Sequence, residues 1–135
     1  MRRYGTRPLG GDQWDGYDAA RSRLLALLAQ GPVNPVVLTG DLHSDPVSDL
    51  PASFEDPAAP IVATEFMGTS ISSLGDSKPR TSYDGFGNSW ERFRQFGQRG
   101  YVAVDLDRAQ LLAEYRGVKV EQPSSAAYTV ESFLV

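Results

Sequence analysis

The sequence predicts an α/β domain, on three observations. A leucine-rich helical segment leads directly into a short apolar strand, a second apolar run of strand length follows, and the last third reads as strands joined by a tight turn. In that order the helix lays its leucine stripe on one face of a sheet, and the carboxyl-terminal strands form an antiparallel hairpin. At 135 residues, with 41% hydrophobic and 22% charged content, the chain is the size of one domain and can bury a modest core.

Asp15 or Asp18 is placed to cap a helix through Ala19, Ala20, Leu24, Leu25, Leu27 and Leu28, with Arg21 and Arg23 on its wetter side. Gln30-Gly31-Pro32 ends it, and Pro35–Thr39 is the strand that follows. Four prolines among Ser, Asp and Ala make Asp45–Pro60 an irregular loop. Ile61–Phe66 is the second buried strand, and Gly68–Ser73 a small, hydroxyl-rich turn. Loop character continues to about Gly87. For Asn88–Gln95 two readings stand: a short helix capped by Asn88 or Ser89, or a loop plugged onto the core by Trp90, Phe93 and Phe96. Gly100–Leu106 and Gln110–Val120 form the hairpin across Asp107-Arg108-Ala109, and a last strand runs from Ala126 to Phe133.

Net charge is −4, from 17 acidic and 13 basic residues without a long run of either sign, so no nucleic-acid footprint is expected. The absence of cysteine excludes disulfides and thiolate metal ligands. The basic start, Met1–Pro8, leads into Gly-Gly-Asp and is not read as a signal peptide. No stretch approaches the ~20 apolar residues that cross a bilayer, so no membrane partner is expected.

Chemistry is sought first at Asn34–Ser44, where an apolar strand ends in Asp41-Leu42-His43, the pair containing the only histidine of the chain. Ligands of open α/β sheets gather beyond the carboxyl ends of strands. If the backbone stays extended, residues two apart point to one side, and a carboxylate with an imidazole suits a mixed or dinuclear metal site. The alternative is an Asx turn beside a partly exposed histidine. Stable metal sites recruit roughly four or more donors. Asp45, Asp49, Glu65 and Asp76 have the right chemistry, but nothing in their spacing separates them from ordinary loop and strand carboxylates. Gly68-Thr69-Ser70 reads either as an anion-binding nest or, more simply, as a polar turn. Trp14 and Tyr17, beside Asp12 and Asp15, read as a sugar or base platform or as a staple on the helix.

Four blocks in order, Asp12–Tyr17 with Ala20-Arg21, then Asn34–Ser44, Ala63–Ser73 and Arg99–Val102, resemble the PhoD-like alkaline phosphatase and phosphodiesterase family. The resemblance spans nearly the whole chain, residues 1–135, and corresponds to the carboxyl-terminal part of that family's catalytic domain. It implies part of a metallophosphoesterase-like αββα sandwich, with a Ca²⁺ and Fe³⁺ centre that hydrolyses phosphate esters. Asp41 would face the calcium and His43 the iron. Family motifs that supply a cysteine, a bridging aspartate, a tyrosine and an asparagine to the metals are not among these residues. Where members often continue Gly-Asp-x-His-Ser with Trp-Ala-Asn, this chain has Asp45-Pro46-Val47. Members also typically carry an export signal and an amino-terminal domain.

The resemblance implies a metal-dependent phosphoric ester hydrolase, incomplete in this chain, whose partners are a phosphate ester and the missing amino-terminal half. A sheet without its partner layer is expected to expose an apolar face. The rival reading is a non-catalytic remnant that serves as a binding or assembly module, and a third is an unrelated small α/β domain with a self-contained core and no metal.

Overall fold

The computed structural model describes residues 3–4, 7–8, 14–31, 33–41, 43–73, 89–95, 97–119, 121–122 and 125–135. Its elements are β1 (Arg3–Tyr4), β2 (Arg7–Pro8), a 3-10 turn (Trp14–Gly16), α1 (Asp18–Gln30), β3 (Val36–Thr39), β4 (Val47–Pro51), β5 (Ile61–Met67), β6 (Glu91–Phe93), β7 (Arg99–Leu106), β8 (Leu111–Val118) and β9 (Tyr128–Leu134). A mixed sheet has the order β3-β5-β4-β6, an antiparallel sheet the order β7-β8-β9, and β1 pairs β2 alone. One helix and two sheets thus stack in layers, an αββα-like arrangement with the antiparallel hairpin at its carboxyl-terminal end.

Asp18 lies in the first turn of α1, where its charge suits the helix dipole, but no side chain caps the helix; the capping position is Tyr17. The helix closes where the Gly31 N–H donates to the Leu28 carbonyl at 3.2 Å. Leu25 packs with Leu50 and Ala63 of the mixed sheet, and Leu28 and Val37 adjoin them. Arg21 departs from the expected wet face: it is buried four residues before Leu25, on the same stripe. Its guanidinium is ion-paired with Asp18, lies 3.8 Å from Glu55, and sits 5.3 Å from the Phe54 ring centroid. A buried arginine persists there because carboxylates and an aromatic face replace water around it. Leu27 turns outward instead.

One expectation fails here, and of two open readings the helical one drops out. Asp45–Pro60 contains β4, which is an interior strand between β5 and β6. Pro46 precedes that strand and Pro51 ends it, so the residues between them keep the N–H groups that a ladder needs. Within Asn88–Gln95 the described residues hold β6 rather than a helix; Asn88 lies outside the described residues, as does most of the loop to Gly87. The free edge of β4 captures this segment through the pairs Val47↔Phe93 and Ser48↔Glu91. Trp90 meets Phe54 edge-on at 4.9 Å, while Phe93 enters the core. The aromatic plug and a short strand are therefore one feature.

The main core lies between the two sheets. Val47 and Phe66 meet Leu111, Ala113 and Tyr115, with Phe93 and Phe133 packed around them. Tyr115 stands 5.6 Å from Phe93 and 5.9 Å from Phe133, and its hydroxyl donates to the Pro46 carbonyl at 3.2 Å. The expected bare sheet face is thus corrected, because the partner layer is supplied by this chain's own β7–β9. What stays open is one flank of the space between the sheets. β3 and β7 are terminal strands among those described, and Leu38 and Val104 remain 59% and 38% exposed beside them.

Candidate functional site

β3 and β5 run parallel in the register Val36↔Thr64 to Thr39↔Met67, so their carboxyl ends meet at one edge. That places the turn after β3, with Asp41 and His43, next to the turn after β5, Gly68–Ser73. The Gly68 N–H donates to the Thr39 carbonyl at 3.0 Å. The site therefore lies beyond the carboxyl ends of parallel strands, where sheets of this class leave a crevice.

The backbone does not stay extended through the pair. β3 stops at Thr39, and Asp41 and His43 adopt φ of 75° and 55°. Left-handed backbone at two non-glycine residues so close together costs on the order of 1–2 kcal/mol each, and such geometry concentrates at functional sites. Both side chains are exposed. The Nε2 of His43 lies 3.4 Å from the Ser73 hydroxyl, a neighbour that sequence spacing alone does not point to. The parallel pairing of β3 with β5 is what brings residue 73 there.

The other candidate carboxylates have structural partners. Asp45 is buried and accepts the Thr69 N–H at 2.8 Å, tying the two turns together. Burial raises its carboxyl from 3.8 to about 6, against the lowering effect of that bond. Burial first, and then the nearby Asp45 charge, push the Tyr115 hydroxyl up. Asp49 pairs with Arg92 at 2.6 Å. Glu65 accepts the Thr39 hydroxyl at 3.0 Å. Asp76 lies outside the described residues.

The Gly68–Ser70 turn follows the simpler of its two readings. Its Thr69 N–H serves Asp45, and the Thr69 hydroxyl donates to the Gln98 carbonyl at 3.3 Å. Ser70 accepts the Gly100 N–H at 3.1 Å through its carbonyl and so holds β7 against the site. Trp14 and Tyr17, at the start of α1, are 44% and 56% exposed.

A groove of about 300 Å³ opens beside the turn, lined by Leu38, Asp41, Phe66, Thr69, Val102 and Val104 among others. Another cavity, of about 380 Å³, lies at the amino ends of β3 and β5, and none of the described residues that line it has an ionisable side chain. The groove at the carboxyl ends has a candidate ligand, Asp41, in its lining. Asp41 and His43 offer a hard oxygen and an imidazole nitrogen, the donor kinds that Ca²⁺ and Fe³⁺ take. Their number does not suffice: among the described residues no group of three or more His, Cys, Asp or Glu side chains is placed to hold a metal ion. By themselves these residues do not fit a resident two-metal centre. Among the described residues no helix is long and apolar enough to cross a membrane.

Comparison with known proteins agrees with this geometry. The family model "PhoD-like phosphatase" matches residues 3–115. Alkaline phosphatase D of Bacillus subtilis (strain 168) is 36% identical over 127 residues, which cover 91% of this chain and 22% of that protein. A solved structure of PhoD superposes with a TM-score of 0.78 at 37% identity, over 91% of this chain and 24% of the other. The chain thus spans less than a quarter of the length of these relatives. Across that span both sequence and fold agree, and the chain belongs to the PhoD-like phosphatase family.

Proposed function

We propose that this chain, standing alone, is a non-catalytic assembly module of the PhoD-like lineage, and that it contributes Asp41 and His43 to a phosphoric ester hydrolase centre completed by other polypeptide. One observation carries the reading: the two strained, exposed donors sit at the strand-end edge, and no group of three donors exists among the described residues. A Ca²⁺ and Fe³⁺ centre, where assembled, would supply metal-activated hydroxide and neutralise the charge developing on a phosphate ester. The residues here would orient that centre. Asp45 would hold the two turns in register, and the Ser73 hydroxyl would steer the His43 ring through Nε2.

The test is metal content and phosphodiesterase activity of the purified chain, with and without added Ca²⁺ and Fe³⁺, beside His43→Ala. Background turnover without stoichiometric metal is the expected result. Metal-dependent turnover that vanishes in His43→Ala would overturn the reading and make the chain a complete hydrolase.

A further inference from the structure

Glu65 is a charged residue at a position where the fold favours an apolar one. It stands in β5, between β3 and β4, and is 5% exposed. Alternation along the strand puts it on the face of Ala63, towards α1. Its cross-strand neighbours are Val37 and the buried Ser48, and Val37 adjoins the core that Leu25, Leu50 and Ala63 form under the helix. A carboxylate buried there is unfavourable unless hydrogen bonds replace water, and an apolar side chain of similar size often serves a core at least as well. Stability by itself does not call for a charge at this position.

The bond that this carboxylate makes is aimed at the site. Its Oε1 accepts the hydroxyl of Thr39, the last residue of β3, at 3.0 Å. The Thr39 carbonyl in turn accepts the Gly68 N–H at 3.0 Å. Two residues further on, the chain enters the left-handed backbone of Asp41 and His43, with φ of 75° and 55°. At the far end of the same turn Asp45, also 5% exposed, accepts the Thr69 N–H at 2.8 Å and donates its own N–H to the Gln95 carbonyl at 3.2 Å. Left-handed backbone at non-glycine residues persists where the surrounding structure over-determines it. Glu65 and Asp45 grip the entry and the exit of this turn.

We propose that Glu65 is a positioning residue of the candidate site: through the Thr39 hydroxyl it fixes the end of β3 and so holds Asp41 and His43 in their left-handed turn. The proposal rests on the reading of Asp41 and His43 as the donors that this chain contributes. A group that supports a site from behind fixes geometry, and removing its bond should loosen the turn without loosening the sheets.

The test is NMR on the full chain in EDTA, which reads the turn without requiring activity. Thr39→Val removes the hydroxyl and keeps the shape. It should speed exchange of the Gly68 N–H about tenfold or more and shift the Asp41 and His43 amide dipolar couplings away from left-handed geometry. The Leu111 N–H, bonded to the Val135 carbonyl in the other sheet, should keep its rate. Glu65→Leu should change the turn in the same way, while Glu65→Gln, which retains an acceptor, brings Gly68 exchange back to within about threefold of the parent. A turn unchanged in Thr39→Val or in a folded Glu65→Leu would overturn the proposal. So would Thr39→Val exchange that rises equally at Gly68 and Leu111, because the bond would then hold the fold rather than the turn; Thr39→Val decides alone if Glu65→Leu does not fold. Metal-dependent turnover by the isolated chain would sink the module reading and leave these couplings as they are, so the two failures are separate.

Discussion

The closed and open flanks of the inter-sheet space are built by the same two sheets and behave as opposites. At the closed flank β6 lies over β9, and Phe93, Tyr115 and Phe133 interlock with ring centroids 5.6 to 5.9 Å apart. At the open flank β3 and β7 present Leu38 and Val104 to a groove, and Asp41 lines the same groove. Stability therefore concentrates away from the chemistry, and the edge that carries the candidate ligands is the one with least packing behind it. A scaffold closed on one side carries the candidate site on the other.

Substitutions can break or sharpen this contrast, and the largest effect is expected at the closed flank. Tyr115→Ala removes a ring that is 1% exposed and should destabilise the chain by about 4 kcal/mol in urea denaturation. A loss under ~1 kcal/mol would mean that the aromatic cluster does not hold the layers together. Gly100→Ala comes next. The added methyl would stand 2.0 Å from the Arg116 carbonyl oxygen, a backbone atom that cannot swing aside. A cost of about 3 kcal/mol is expected, together with faster hydrogen exchange in the Ser70 turn that its N–H anchors.

Asp45 links the two flanks, because its carboxylate holds the site turns while facing the core tyrosine. Its folded value, about 6, lies above the ordinary 3.8. The folded state therefore binds the extra proton in that window, and stability contributed by this group is present at low pH and falls as pH rises from about 4 to about 6. Asp45→Asn keeps an acceptor for the Thr69 N–H without the charge. It should flatten that slope and, at pH 7.5, be more stable than the parent by up to about 2 kcal/mol. Identical pH profiles for the two proteins would show that Asp45 is solvated in the folded state. Smallest of all is Leu38→Ala at the open flank, expected to change stability by less than ~0.5 kcal/mol in the isolated chain. A larger loss would mean that the flank is already covered.

Much of the fold is legible from residue order alone. The β3 and β5 runs, the β7–β8 hairpin and β9 carry their own period and their own turn chemistry; in the hairpin the Asp107 carboxylate accepts the N–H groups of Ala109 and Gln110. The Asp-x-His pair is equally local, since a lone histidine after an apolar strand needs no partner to be noticed. β4 and β6 escape that reading because each becomes a strand only through a neighbour distant in sequence. Prolines at its ends disguise β4, and the offset of Trp90 from Phe93 gives β6 a false helical period.

By itself the sequence determined the α/β class, the order of its periodic strands and helix, the family, and the pair of residues to suspect. Only the tertiary structure decided that Arg21 is buried, that Asp45 ties the two turns together, that Ser73 sits beside His43, and that β3 and β7 are edge strands among those described. The physical reason is range. Periodicity and turn preference act over a few residues and are written in them, whereas burial and the company of a polar group depend on what the rest of the chain brings alongside.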